Sequence, residues 1–376
     1  MASIELPKEL LPSDGRFGAG PSKVRAEALA NLMDIAPSYL GTSHRQATVK
    51  DMVGRVRTGV SELFSTPEGY EVVLGNGGST AFWEIATFGL IEKKSQHLSF
   101  GEFSSKFAQS SEMAPFLDDP VVISSETGTH PTAIAQHDID LYGLTHNETS
   151  TGVMMDIARP THDDGAPATG LVVVDGTSAA GGIQVDIAET DVYYFAPQKC
   201  FGSDGGLWIA IMSPAAIARS VAIGGSGRYI PPFLDLNIAI ENSRLNQTYN
   251  TPALVTLALF ADQLEWFNAN GGLTWSAGRS TASSNILYEW AESSSVATPF
   301  VSKPEERSKV VGTIDFVDEI DAAEIAKALR ANGIVDTEPY RKLGRNQLRI
   351  SMFPGIEPED VRSLTKCIDF VIGHLG

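Results

Sequence analysis

Cysteine is scarce: Cys200 and Cys367 are the only two among 376 residues. Two are too few for a disulfide framework and suit a reducing compartment. Positive charge is short as well, with 28 Lys and Arg against 46 Asp and Glu and a formal net charge of -18. Nucleic acid and anionic membrane surfaces both demand a cationic face, so neither is an expected partner. A small anionic substrate stays open, because a local arginine cluster can outweigh the global field. No apolar run approaches a membrane span; the longest, Leu254 to Ala261, reads as a turn or two of buried helix. The start, Met1 to Pro7, lacks a basic stretch followed by an apolar one, so no export signal is expected and the reading is cytoplasmic. Internal repeats and low-complexity linkers are absent, and no metal site is expected.

What is present describes a globular chain, 43% hydrophobic and 20% charged. Its length exceeds one ordinary core and fits two domains, or one large domain with an appendage. Ser13 to Pro21, rich in Gly and Pro, reads as an extended arm before a first helix over Lys23 to Met33. From residue 70 onward short apolar runs alternate with helical patterns, which predicts a mainly parallel sheet covered by helices. Strands are expected at Tyr70–Leu74, Leu98–Phe100, Val121–Ser124, Leu141–His146, Leu171–Val174, Val192–Ala196 and Gly206–Met212. After Gly271-Gly272 a long helix leads to a strand–helix–strand–helix end piece: Val311–Val317, Ala322–Asn332, Gln347–Met352 and Pro358–Leu375. The expected organisation is an arm over 1–22, a large α/β domain over 23–270, and a small α+β domain over 271–376. The five tryptophans, Trp83, Trp208, Trp266, Trp275 and Trp290, read as core, and the acidic stretch Asp315 to Glu324 as a solvated face.

One lysine stands out. Tyr193-Tyr194-Phe195-Ala196-Pro197-Gln198-Lys199 places a cation just past a buried strand, where lysines are rare unless paired or used. A desolvated Lys loses its proton readily, and the free amine condenses with an aldehyde. The bland alternative, a loop lysine reaching solvent, carries about even odds taken alone. Asp175 ends the run Leu171–Val174, where open parallel sheets place ligand groups. A carboxylate there can pair with a protonated pyridine nitrogen, although it could equally cap the following turn. Gly75-Asn76-Gly77-Gly78-Ser79-Thr80 lies between strand and helix, where backbone N–H groups can cradle a phosphate. It is neither a Walker A motif nor a G-x-G-x-x-G fingerprint. Asn250-Thr251-Pro252 repeats the theme but is also an ordinary helix start. Phe103 could stack on a planar ring, and Thr149 could bond a ring hydroxyl; a core aromatic and a cap are the plainer readings.

Together these pieces resemble the class V, fold-type I pyridoxal-phosphate enzymes, and among them the actinobacterial phosphoserine aminotransferases. The matching segments are Gly18-Ala19-Gly20-Pro21-Ser22, Gly41-Thr42-Ser43-His44-Arg45, Gly77-Gly78-Ser79-Thr80, His146-Asn147-Glu148-Thr149, Val173 to Ser178, Ala196 to Lys199, Gln247 to Pro252 and Leu348 to Ser351. The resemblance implies a homodimer using pyridoxal 5'-phosphate to move an amino group from glutamate to a phosphorylated keto acid in serine biosynthesis. A four-carbon phosphorylated acid of pyridoxine biosynthesis is a second implied substrate. Lys199 would carry the cofactor as a Schiff base and shuttle its proton, with Asp175 on the ring nitrogen. Ser79, Thr80 and Gln198 would hold the phosphate, with Asn250 and Thr251 supplied by the second subunit. Thr149 would touch the ring hydroxyl, and Phe103 stands where many relatives stack a tryptophan. Arg349 would clamp the α-carboxylate. His44 and Arg45, reaching across the dimer, would meet the distal anion. Relatives carry a His-Arg pair before the clamp, whereas this chain reads Tyr340-Arg341-Lys342-Leu343-Gly344-Arg345; Arg341 or Arg345 would replace it.

Other class V activities compete. A cysteine desulfurase needs a mobile thiol, but Cys200 is chained beside Lys199 and Cys367 lies in a helix pattern, so both read as small buried hydrophobes. Serine– or alanine–glyoxylate aminotransferases need no second anion site, which His44-Arg45 and the cluster Arg341 to Arg349 would supply. From another class, a non-catalytic binding protein of the same layout is separated by colour, because a purified pyridoxal-phosphate enzyme is yellow.

Overall fold

The computed structural model describes residues 4–375; Met1–Ser3, part of the expected arm and of the stretch read for an export signal, and Gly376 lie outside the described residues. The large sheet contains β1 (Glu71–Asn76), β2 (Ser95–Ser99), β3 (Val121–Ser124), β4 (Leu141–Thr145), β7 (Leu171–Asp175), β8 (Val192–Phe195) and β9 (Leu207–Met212), with a small ribbon of β5 (Asn147–Glu148) and β6 (Val153–Met154) beside it. Its order is β1-β9-β8-β7-β4-β2-β3. Pairings from β8 through β3 are parallel, while β9 runs antiparallel to both β8 and β1. The central strands β7, β8 and β9 are buried at every position. That is why they read as unbroken apolar runs rather than alternations.

Helices α1 (Ala26–Tyr39), α2 (Ala47–Leu63), α3 (Gly78–Gly89), α4 (Glu102–Glu112), α5 (Pro214–Gly224), α6 (Leu236–Arg244) and α7 (Leu254–Ala269) cover this sheet. The first helix starts and ends later than the sequence suggests and carries Pro37 within its last turn. Tyr39 anchors that turn, buried with its hydroxyl donating to the Leu254 carbonyl at 2.9 Å. Helix α2 is an addition to the sequence reading; its Val49, Met52, Val53, Val56, Val60 and Leu63 recur at helical spacing and face the core. Helix α7 outruns its apolar stretch, because Asp262 faces outward to pair with Arg25.

The second sheet, antiparallel, contains β10 (Ala297–Pro299), β11 (Val311–Phe316) and β12 (Gln347–Ser351), packed by α8 (Gly272–Ser293), α9 (Ala322–Ala331) and α10 (Pro358–Ile372). Helix α8 joins two cores: Leu273 packs with the large sheet, while Leu287, Tyr288 and Ala291 pack with the small one. Leu6 and Phe17 of the N-terminal arm belong to the small core. Among the described residues no helix is long and apolar enough to cross a membrane. The carboxyl ends of β4, β7 and β8 share one edge of the large sheet with the turn after β1, and the candidate site lies there.

Candidate active site

Gly77 and Gly78 take φ values of +118° and +73° as β1 turns into α3. Side-chain-bearing residues resist such angles, so glycine lets the chain turn at once into a helix. The first turn of α3 then presents Ser79 and Thr80 with free backbone donors. Ser79 Oγ lies 2.6 Å from Thr177 Oγ1, which joins two hydroxyls at this end. These groups open on a cavity of about 250 Å³ that also meets Trp83, Phe103, Thr149, Asp175, Gln198 and Lys199.

Lys199 follows β8 and projects into this cavity. Its Nζ donates to the Ala19 carbonyl at 2.6 Å and stands 5.9 Å from the centre of the Phe103 ring. A Cβ on Gly20 would push against the end of the Lys199 side chain, and the φ of +134° there separately favours glycine. Lys199 is open to the cavity but otherwise enclosed by protein. Burial, with the nearby Arg349 guanidinium, brings its amine down to about 8. Cys200 behind it is buried, its thiol pushed well up by burial and donating to the Ser178 carbonyl.

Asp175, buried at the end of β7, accepts the Thr177 N–H on Oδ1 at 2.8 Å. Its Oδ2 accepts the Trp83 indole N–H at 3.3 Å. Burial raises the carboxyl's pKa, and these two donors oppose the rise. Trp83 belongs to a buried core cluster, as expected, and in addition lines the cavity and touches the carboxylate. Trp208 is core; Trp266 and Trp275 lie under Arg25 and Arg279, and Trp290 donates to Asp369 at 2.9 Å. Trp83→Phe keeps an aromatic ring, smaller than the indole, and deletes the donor. Turnover should fall about tenfold, the lower range for a bond to a charged group. The acid limb of the pH–rate profile should move to higher pH, since losing a donor to the ionised form raises a carboxyl pKa. An unmoved limb would remove Trp83 from this role.

Thr149 donates to Ser178 Oγ at 2.8 Å, leaving its own oxygen free to accept. Arg349, half-buried on β12, reaches the Thr149 carbonyl with Nη1 at 3.4 Å, and its Nε has no partner among the described residues. The other expected residues lie away from the cavity walls of this single chain. Arg45 is exposed, while His44 Nδ1 is 3.2 Å from Thr251 Oγ1. Asn250 and Thr251 sit in an exposed segment against Asn76. Arg345 pairs with Asp315 and lies over Phe300, so Asp315 is half-buried rather than part of a solvated acidic face. Lys342 pairs with Glu102, and exposed Arg341 makes no ion pair among the described residues.

The class-V aminotransferase family matches residues 17–338. A phosphoserine aminotransferase from Nocardioides is 60% identical over 375 residues, covering 99% of each chain. This chain belongs to the class-V aminotransferases. Among solved structures, a phosphoserine aminotransferase from Cytophaga hutchinsonii superimposes with a TM-score of 0.86 at 23% identity, over 96% of this chain and 98% of that one. A pyridoxal-phosphate-bound phosphoserine aminotransferase from Trichomonas vaginalis gives 0.80 at 18% identity, over 95% and 99%. Pyridoxal 5'-phosphate is the cofactor of this class-V aminotransferase. The residues fit it: a helix start for the phosphate, a buried carboxylate for the ring nitrogen and an amine of lowered pKa. Among the described residues the buried Gln198 Oε1 and Asn147 Oδ1, both on the cavity lining, lack protein partners, as expected of groups awaiting a polar ligand.

Proposed function

We propose that this chain is a phosphoserine aminotransferase that moves the amino group of L-glutamate to 3-phosphohydroxypyruvate, giving O-phospho-L-serine and 2-oxoglutarate. It would work as a cytoplasmic homodimer. The near-full-length likeness to the Nocardioides enzyme carries the choice of substrate. The cavity that joins Lys199, Asp175 and the α3 helix start supports the chemistry.

When bound, pyridoxal phosphate supplies an electron sink for carbanion chemistry. Lys199 would hold it and then, as a free amine, take the α-proton of the amino acid and return it during transfer. Asp175 would hold a proton at the ring nitrogen. Ser79, Thr80 and Gln198 would bind the phosphate, joined by Asn250 and Thr251 of the partner subunit, whose exposure in one chain suits that task. Phe103 would cover one ring face, and Thr149 would face the ring hydroxyl. Arg349 would grip the α-carboxylate by its planar fork. The distal phosphate would meet His44 and Arg45 of the partner subunit and Arg341, whose charge is unpaired here, whereas Arg345 is engaged by Asp315.

Arg45→Ala tests the substrate half of this reading. Charge-assisted contacts to an anion are worth about 1.5–3 kcal/mol each. The KM for 3-phosphohydroxypyruvate should rise roughly ten- to a hundredfold, and that for glutamate should follow, because its second carboxylate uses the same pocket. Alanine, which lacks a distal anion, should react no worse. Equal losses for all three would show that Arg45 does not read the distal anion. Mixing Lys199→Ala with Arg45→Ala subunits should restore part of the activity, since one site of the hybrid has both residues.

A further inference from the structure

Glu148 is fully buried, yet the chemistry above gives it no task. Its Oε2 accepts the backbone N–H groups of Phe103 at 3.0 Å and Ser104 at 2.8 Å. Oε1 accepts the Ser150 N–H at 3.0 Å and the Ser150 hydroxyl at 2.7 Å. That hydroxyl in turn accepts the Glu102 N–H at 3.1 Å. The first three N–H groups of α4 are thus all satisfied from residues 148 and 150, some 45 positions along the chain. Helix α4 has no cap of its own, because the preceding residue is Gly101.

A local Ser or Asp at that position would ordinarily cap the helix. Here it cannot stand. A Cβ on Gly101 would lie 2.3 Å from Glu148 Cγ, although the backbone is extended there and tolerates any residue. The fold has replaced a local cap by a distant one. The distant cap binds two cavity walls together, for Phe103 is the second residue of α4 and Thr149 follows Glu148. A charged cap also complements the positive end of the helix.

We propose that Glu148 is a positioning residue, whose carboxylate fixes the Phe103 ring opposite Thr149 across the cofactor cavity. This rests on the cofactor reading above. Glu148→Gln keeps the shape but puts an amide donor where a carboxylate accepted from N–H groups on both sides. The apoprotein is titrated with pyridoxal phosphate, reading the dissociation constant and the visible circular dichroism, which reports how the bound ring is held. Glu148→Gln should weaken binding about tenfold and diminish the dichroism. In the Phe103→Leu background the same change should cost less than about twofold, because coupled residues are not additive.

A cap that merely stabilises α4 would lower the melting temperature and act equally in both backgrounds. Equal factors, or unchanged affinity in the parent background, overturn the proposal. Should Glu148→Gln give no folded protein, Ser150→Ala decides by the same cycle. It removes one donor to Glu148 and the acceptor for Glu102, and should cost about two- to threefold only while Phe103 is present. If the unsubstituted chain takes up no cofactor, the cofactor reading itself fails. Additivity in a chain that does bind sinks this inference alone.

Discussion

Lys199→Ala protein should fold, melt as apoprotein no lower than the parent apoprotein at pH 7, and transfer amino groups roughly ten-thousandfold more slowly. The activity loss would follow from removing the group proposed to hold the cofactor and move the α-proton, the second alone worth up to about 10⁴-fold. The stability argument is separate. The Lys199 amine has its pKa brought down from 10.5 to about 8, chiefly by burial. Between those values the unfolded chain binds more protons than the folded one, so stability rises with pH through that window. Below about pH 8 the cost of enclosing the charge is fully present, and alanine removes it. A variant that unfolds would show that Lys199 supports packing. The same pKa governs cofactor capture by the apoprotein. With that pKa the free amine is roughly a tenth of the total at pH 7 and nine tenths at pH 9, so uptake should quicken about tenfold across that interval. Borohydride reduction and peptide mapping should label Lys199 and no other lysine.

Asp175→Asn should leave the cofactor bound and the protein yellow while turnover falls roughly a hundred- to a thousandfold. That factor corresponds to about 3–4 kcal/mol, the scale of one preorganised electrostatic contact in a water-poor site. An amide cannot stabilise a protonated ring nitrogen, and the Trp83 indole, which only donates, then faces either an amide oxygen or an amide N–H. The apoprotein should gain stability at neutral pH, because burial already disfavours the Asp175 charge. Turnover near that of the parent would remove Asp175 from the reaction.

The two groups on which these results turn were visible in the sequence for a physical reason. Strands β7 and β8 are buried on both faces, so their apolar runs stop abruptly at Asp175 and shortly before Lys199. The glycine turn at Gly77-Gly78 was legible for the same kind of reason, since its backbone angles exclude most side chains. Trp83 was not. Within Ala81-Phe82-Trp83 on an apolar helix it resembles core, and only the placement of α3 beside β7 aims its N–H at a carboxylate. Glu148 was equally hidden, because its partners lie on a helix some 45 residues earlier in the chain. The cations from Arg341 to Arg349 look like one cluster in linear order. Pairing of β12 with β11 instead sets Gln347 opposite Asp315 and draws Arg345 to that carboxylate. Lys342 is drawn to Glu102 on α4. Linear spacing shows which charges are near in sequence, and the sheet register decides which of them are spent.

The central claim is tested most directly by one half-reaction. The protein is converted by glutamate to the amino form of its cofactor, freed of excess amino acid, and mixed with single keto acids while the return of visible absorption is timed. The account predicts that 3-phosphohydroxypyruvate restores the colour at least about a hundredfold more efficiently than hydroxypyruvate, the discrimination expected from two charge-assisted phosphate contacts. Hydroxypyruvate or glyoxylate reacting as efficiently as the phosphorylated acid would contradict it.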